Sequence, residues 1–196
     1  MLFARKKYGY SKARLLLRSG LLVLSNIMLA GGVYIILLSL SPQIDFVPTP
    51  YRLNDSDDIL DKRNRVQIEK IGLEVPYQSG GLEALNKGVW WRHADRGNPK
   101  DGGNFILSAH RFYIGLTPKG TKARSPFYKL EDVQVGDKIR VFYEGDWYGY
   151  DVVKKYTVKP DAVEIEAPST EAKMTLYTCT LGGTYDGRVV LEAHQL

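Results

Sequence analysis

The chain has 196 residues, a formal net charge of +5 and one cysteine. That length supports one ordinary hydrophobic core once any membrane element is set aside, and the lone Cys179 excludes an internal disulfide or a thiolate-based metal site. The basic balance does not mark a nucleic-acid surface, because Arg5, Lys6, Lys7, Lys12, Arg14 and Arg18 all precede the first acid, Asp45, and removing these six charges from +5 leaves −1 for the rest.

From Ser19 to Leu40 no residue is charged, and runs such as Val33-Tyr34-Ile35-Ile36-Leu37-Leu38 make the stretch strongly apolar. About twenty helical residues at ~1.5 Å each cross a hydrocarbon core of ~30 Å. The basic flank precedes the span, which predicts a cytoplasmic N-terminus and an extracytoplasmic remainder. A cleaved signal peptide would have a shorter apolar region and an Ala-x-Ala-like site, and none follows Leu40, so 19–41 reads as an uncleaved anchor behind a basic tail at 1–18. Residues 42–64, with three prolines and the acids Asp55, Asp57, Asp58 and Asp61, read as a linker with a short helical turn at Asp57–Lys62.

Residues 65–196 read as the functional domain, mainly in strands. Val66 to Ile71 alternates, and Gly72 and Pro76 then predict a turn. Gly81–Gly88 suits a short helix closed by glycine. Asn104–His110 is an apolar strand, and Pro126–Leu130 a short helix or tight loop. Glu144-Gly145-Asp146 between two β-rich runs is a hairpin signal, with its second strand continuing towards Val158. Lys173–Cys179 and Val189–Ala193 complete a pattern of many short strands and few helices, which supports a closed or nearly closed β-barrel.

Three stretches carry the chemistry. One apolar strand ends in His110, a second ends in Cys179, and Arg188 opens the strand after it. By itself a lone Cys is more often a small buried hydrophobe, and a lone His a structural residue. Together they form a set: an imidazole of ordinary pKa ~6.5 can exchange a proton with a thiol of ordinary pKa ~8.5, and a guanidinium fork can hold an oxyanion. The thiolate-imidazolium form is then a minor species at neutral pH, which predicts slow turnover. His93, near Trp90 and Trp91, reads as a packing or surface residue, with a place lining a groove as the alternative; His194 reads as exposed, and no His-x-x-x-His pair suggests zinc.

Ser108-Ala109-His110-Arg111, Thr175-Leu176-Tyr177-Thr178-Cys179-Thr180 and Arg188-Val189-Val190 resemble the His, Thr-Leu-x-Thr-Cys and Arg motifs of the sortases, over about Arg65 to Ala193. Leu181 departs from the proline many sortases place there. An L,D-transpeptidase would show Ser-x-Gly-Cys, and a papain-like enzyme would place a helical Cys before its His.

The resemblance implies a mainly β, sortase-type closed barrel with a few short helices, preceded by one transmembrane helix. It implies a cysteine transpeptidase that cleaves a Leu-Pro-x-Thr-Gly-like C-terminal sorting signal through an acyl-thioester on Cys179. His110 would be the general acid and base, and Arg188 the oxyanion or substrate stabiliser. Ala109, Thr178, Thr180 and Leu181 adjoin these residues and are candidates for substrate binding. The segments Tyr156–Ala172 and Thr180–Gly187 would wall the groove.

The implied partners are surface proteins bearing a sorting signal, an acceptor amine from a cell-wall precursor or a pilin lysine, and the lipid bilayer. No cofactor is implied, although some sortases bind calcium near Glu164 and Glu166 and some fold a linker over the site. The chain ends soon after the Arg strand, without the second span of many pilin-polymerising sortases, which favours general anchoring. A hydrolytic thiol protease on the same fold and a catalytically silent binding domain are the alternatives. The connection from His110 to Ser125 is open to two readings, a gate or a contact for the second substrate.

Overall fold

The computed structural model describes residues 9–44 and 63–196, with side chains of the first helix from Arg14 onward. Helix α1 runs Gly9–Leu40, and its Arg14–Leu40 portion is long and apolar enough to cross a membrane. Most of its apolar side chains face outward with no protein around them. Most of the expected linker, including the acidic turn and any covering segment, lies outside the described residues.

Nine strands follow: β1 (Arg65–Ile68), β2 (Leu73–Gln78), β3 (Val89–Arg92), β4 (Gly97–Asn98), β5 (Gly102–Ser108), β6 (Lys138–Tyr143), β7 (Asp146–Val158), β8 (Lys173–Thr180) and β9 (Gly183–Gln195). Eight of them run in the order β3-β2-β1-β6-β7-β9-β8-β5, and pairing of β3 with β5 closes the ring. Strand β4 pairs only with the start of β5. There Gly103 is required, because at φ +81 an added Cβ would stand 2.4 Å from the Arg96 carbonyl oxygen.

The barrel interior holds one side-chain set from each strand, as a period of two requires. Strand β5 contributes Phe105 and Leu107, β8 contributes Met174 and Leu176, and β9 contributes Leu191 and Ala193. Each large fully buried side chain among these contributes about 1.5–3 kcal/mol. The opposite faces of the same strands carry a smaller cluster of Ile106, Tyr177 and Val190, covered by Ile165.

Three elements differ from the sequence reading. The last strand, expected to open at Arg188, begins at Gly183, because pairing with β8 carries the ladder back to the turn and sets Arg188 inside the strand. Strand β1 stops at Ile68, and Glu69–Ile71 forms a 3-10 turn closed by Gly72 at φ +62. The expected turn around Pro76 is instead strand β2. Proline is tolerated there because parallel pairing with β3 is confined to Tyr77 and Gln78, leaving β2 paired on one edge only at Pro76. The β6–β7 hairpin forms as expected, with Glu144 at φ +50 and Gly145 at φ +102 in its two-residue turn. The connection after His110 contains a short helix, Pro118–Ala123, whose first turn is capped by the Thr117 hydroxyl accepting from Gly120 N at 3.0 Å.

Candidate active site

Register and face parity bring the three singled-out side chains together. On β5 the face turned away from the barrel interior carries Asn104, Ile106 and Ser108, and continuing the alternation gives His110. On β8 the same face carries Thr175, Tyr177 and Cys179, and on β9 it carries Arg188 and Val190.

Strands β5 and β8 are parallel, with Ser108 beside Tyr177. Two residues further along that register His110 comes level with Cys179. Strands β8 and β9 are antiparallel, with Cys179 opposite Arg188. Neighbouring strands lie ~4.8 Å apart, so the residues form a row across three strands with the sulfur in the middle. All three line one cavity of about 370 Å³, and each is half-buried.

The Thr178 hydroxyl, on the inner face, donates to the Ala109 carbonyl at 2.8 Å. It thereby locks the backbone carrying His110 onto the backbone carrying Cys179.

The His110 ring is framed on two sides. Its Nε2 lies 3.4 Å from Asn86 Oδ1, on the short helix Glu83–Asn86. Its plane is tilted 38° against Tyr113 at a centroid distance of 5.0 Å, and the Arg124 guanidinium sits over the Tyr113 ring, 5.1 Å from its centroid. Burial, and then the charge of Arg124, hold the imidazole below its ordinary value of 6.5. His110 is therefore predominantly neutral at pH 7.

Arg188 is anchored through one nitrogen. Its Nη1 donates to the carbonyls of Thr184 and Gly187, both at 2.9 Å. Neither bond uses Nη2 or Nε, so three N–H groups of the fork remain for an oxygen in the cavity.

The wall opposite β8 is the 3-10 turn Val163–Glu166. Buried Asn104 fastens it to the barrel: its Nδ2 donates to the carbonyls of Ile165 at 3.2 Å and Ala167 at 2.8 Å, and its Oδ1 accepts from Thr175 at 2.8 Å.

Glu166 then gathers charge. Arg92 Nε lies 2.7 Å from Oε1, His93 Nε2 lies 3.0 Å from Oε2, and the Tyr177 hydroxyl donates to Oε1. Burial and this carboxylate push the Tyr177 phenol far up, which keeps it a donor. His93 adopts φ +48 in this arrangement, a left-handed conformation that costs a non-glycine residue about 1–2 kcal/mol.

Of the remaining candidates, Ala109 and Thr178 line the cavity, while Thr180 and Leu181 do not. Thr180 instead donates to Asp186, bracing the β8–β9 turn, and Leu181 is exposed. The segment Tyr156–Ala172 contributes Pro160, Ala162, Val163, Ile165 and Glu166, and the Thr180–Gly187 turn contributes Thr184. His194 is exposed on β9.

Glu164 is exposed, and Glu166 is committed to Arg92, His93 and Tyr177. Among the described residues no three His, Cys, Asp or Glu side chains gather as a metal-binding group. Asn86, Tyr113, Asn104 and Arg92 escaped the sequence reading, which named His93 and Glu166 but not their contact with each other. The only local signal was the run Trp90-Trp91-Arg92-His93.

The sortase-domain family model matches residues 66–196. Solved structures with the same fold include the sortase D5 transpeptidase of Clostridium perfringens, at 23% identity and TM-score 0.58, with 69% of this chain and 79% of that chain covered. Sortase A of Listeria monocytogenes matches at 19% identity and TM-score 0.58, over 68% of this chain and 86% of that chain. A lid mutant of Streptococcus agalactiae sortase C1 matches at 22% identity and TM-score 0.58, over 87% of this chain and 86% of that chain. No curated protein matches the chain.

Proposed function

This chain belongs to the sortase family, and on that premise we propose that it cleaves a Leu-Pro-x-Thr-Gly-like sorting signal and passes the acyl group to an amine. The observation that carries the reading is the row His110, Cys179, Arg188 on one face of three adjacent strands.

Cys179 sulfur, as thiolate, attacks the carbonyl carbon of the threonine. The oxyanion that develops is held by the Arg188 N–H groups left over from its bonds to the turn. When the C–N bond breaks, protonated His110 gives its proton to the departing glycine amine, leaving an acyl-thioester on Cys179. The acceptor amine then attacks the thioester carbonyl, His110 takes a proton from it, and the thiolate leaves. Every group in this sequence is a side chain, so the reaction calls for no cofactor. Because His110 is held mostly neutral, the competent protonated form is a minority at neutral pH and turnover is slow.

In this reading α1 anchors the enzyme with its basic end in the cytoplasm and the barrel outside. The substrates are surface proteins with a C-terminal sorting signal. The acceptor is an amine of a cell-wall precursor or a pilin lysine.

The test uses the full chain in detergent with a library of sorting peptides, with and without triglycine or a lysine-containing peptide, and identifies products by mass. The expected result is a dominant product carrying the added amine. Hydrolysed peptide alone at every amine concentration would show a thiol protease, and no cleavage of any member would support a binding domain.

A pH prediction follows from the Arg124 charge. Arg124→Gln removes the cationic contribution to the lowered His110 value, so the imidazole titrates at higher pH. Where the limb below the optimum reports His110 protonation, the acid limb of kcat/KM moves to higher pH in the variant. An unmoved limb measured on the same peptide would show that another group sets it.

A further inference from the structure

The loop after His110 is cross-braced by its own hydrogen bonds, apolar at its tip and basic behind it. Gly115 N donates to Thr121 Oγ1 at 2.9 Å and Tyr113 N to Ser125 Oγ at 3.0 Å, with Thr121 and Ser125 both buried. A Cβ on Gly115 would stand 2.8 Å from the backbone of Gly120, so the tip lies directly against the helix Pro118–Ala123. On this frame Phe112, Ile114 and Leu116 are exposed, Leu116 with 91% of its surface, and the outer part of Tyr113 is exposed beside them. From Phe112 to Leu130 the chain carries Lys119, Lys122, Arg124 and Lys129 and no acid. Such a surface is unfavourable in water.

Its position relative to α1 supplies the occupant. The Tyr34 hydroxyl donates to the Leu116 carbonyl, Lys122 Nζ donates to the Ile44 carbonyl at 3.1 Å, and Gln43 Nε2 donates to the Tyr128 hydroxyl at 2.6 Å. Leu38 and Ser41 are buried at the same junction. Tyr34 lies six residues before Leu40, the end of the apolar run, which on a helix places it about 9 Å inside that end. The Leu116 backbone, bonded to the Tyr34 hydroxyl, lies close to that depth.

We propose that the loop tip Phe112–Leu116 is a second membrane contact, seated in the lipid at the level of the last turns of α1, with Lys119, Lys122, Arg124 and Lys129 facing anionic headgroups. The inference rests on reading α1 as a membrane anchor. Its consequence is that Tyr113, which stacks on His110, belongs to a lipid-seated segment. The acid–base end of the cavity is thereby held at the bilayer surface.

Depth measurements on the full chain test this. In a Cys179→Ala background, single cysteines are introduced by Leu116→Cys, by Val23→Cys within α1, and by Lys100→Cys, at the other end of β5 from His110. Each is labelled with an environment-sensitive fluorophore and reconstituted into phosphatidylcholine–phosphatidylglycerol vesicles containing brominated acyl chains. Leu116 is exposed, so its replacement leaves the fold intact, which circular dichroism checks.

The expected result is blue-shifted emission and loss of most intensity at Leu116, as at Val23, with neither at Lys100. A Leu116 label that behaves like Lys100 while Val23 is quenched overturns the proposal and leaves the anchor standing. An unquenched label at Val23 shows instead that the anchor reading has failed, and the proposal falls with it.

Discussion

The Cys179→Ala variant is expected to lose peptide cleavage by about 10⁴-fold or more, because no other group in the row can form the acyl intermediate. Its stability should stay close to that of the parent. Cys179 is half-buried on the outer face of β8 and belongs to neither apolar cluster. Removing the sulfur therefore leaves no enclosed void of the kind that makes core truncations costly.

Two measurements separate chemistry from folding. A urea midpoint within error of the parent shows that the barrel is intact, and intact-protein mass after mixing with a sorting peptide, without amine, shows whether an acyl adduct forms. The parent should gain the mass of the acyl fragment and the variant should not. Parental cleavage rates in the purified variant would remove Cys179 from the reaction.

Arg188→Ala should lower kcat/KM by about 10²–10³-fold, the range typical for loss of one oxyanion donor. Arg188→Lys should recover little of this, because an ammonium keeps the charge but cannot bond two carbonyls through one nitrogen and still present a planar fork. The bonds from Nη1 to Thr184 and Gly187 mean that either substitution also loosens the β8–β9 turn. The kinetic split distinguishes the two contributions. Lost oxyanion stabilisation lowers kcat, whereas a loosened turn that only positions substrate raises KM. Parental kcat/KM for Arg188→Ala would exclude a role for the guanidinium in the reaction.

The three candidate residues were legible because His110 and Cys179 close apolar strand runs and Arg188 precedes one, although Arg188 lies within β9 and not at its start. Phe105, Leu107 and Ala109 point inward, so His110 points outward; Met174, Leu176 and Thr178 do the same for Cys179. The hairpin at Glu144-Gly145 was also legible, since a two-residue turn with two positive φ values has few sequence solutions. Pro76 misled the reading. A proline stops a central strand but not one paired on a single edge at that position, and which edges are paired is not a local property. Thr180 and Leu181 lie outside the cavity for a different reason: adjacency to Cys179 in sequence does not carry over a bulge, and the register shifts between Cys179 and Thr180.

By itself the sequence determined an apolar helix with a basic flank, a β-rich domain, and a thiol, an imidazole and a guanidinium carried by three separate strand-like runs. These follow from composition and from a period of two, which act over a few residues. Only the tertiary structure decided that β5, β8 and β9 are neighbours in a register that sets His110, Cys179 and Arg188 side by side. It also decided that Glu166 is ion-paired with Arg92 and in hydrogen-bond contact with His93, and that the loop after His110 meets the end of α1. Those contacts join residues some seventy to eighty positions apart. They arise from closure of the barrel and docking of the helix, which no alternation within a single strand encodes.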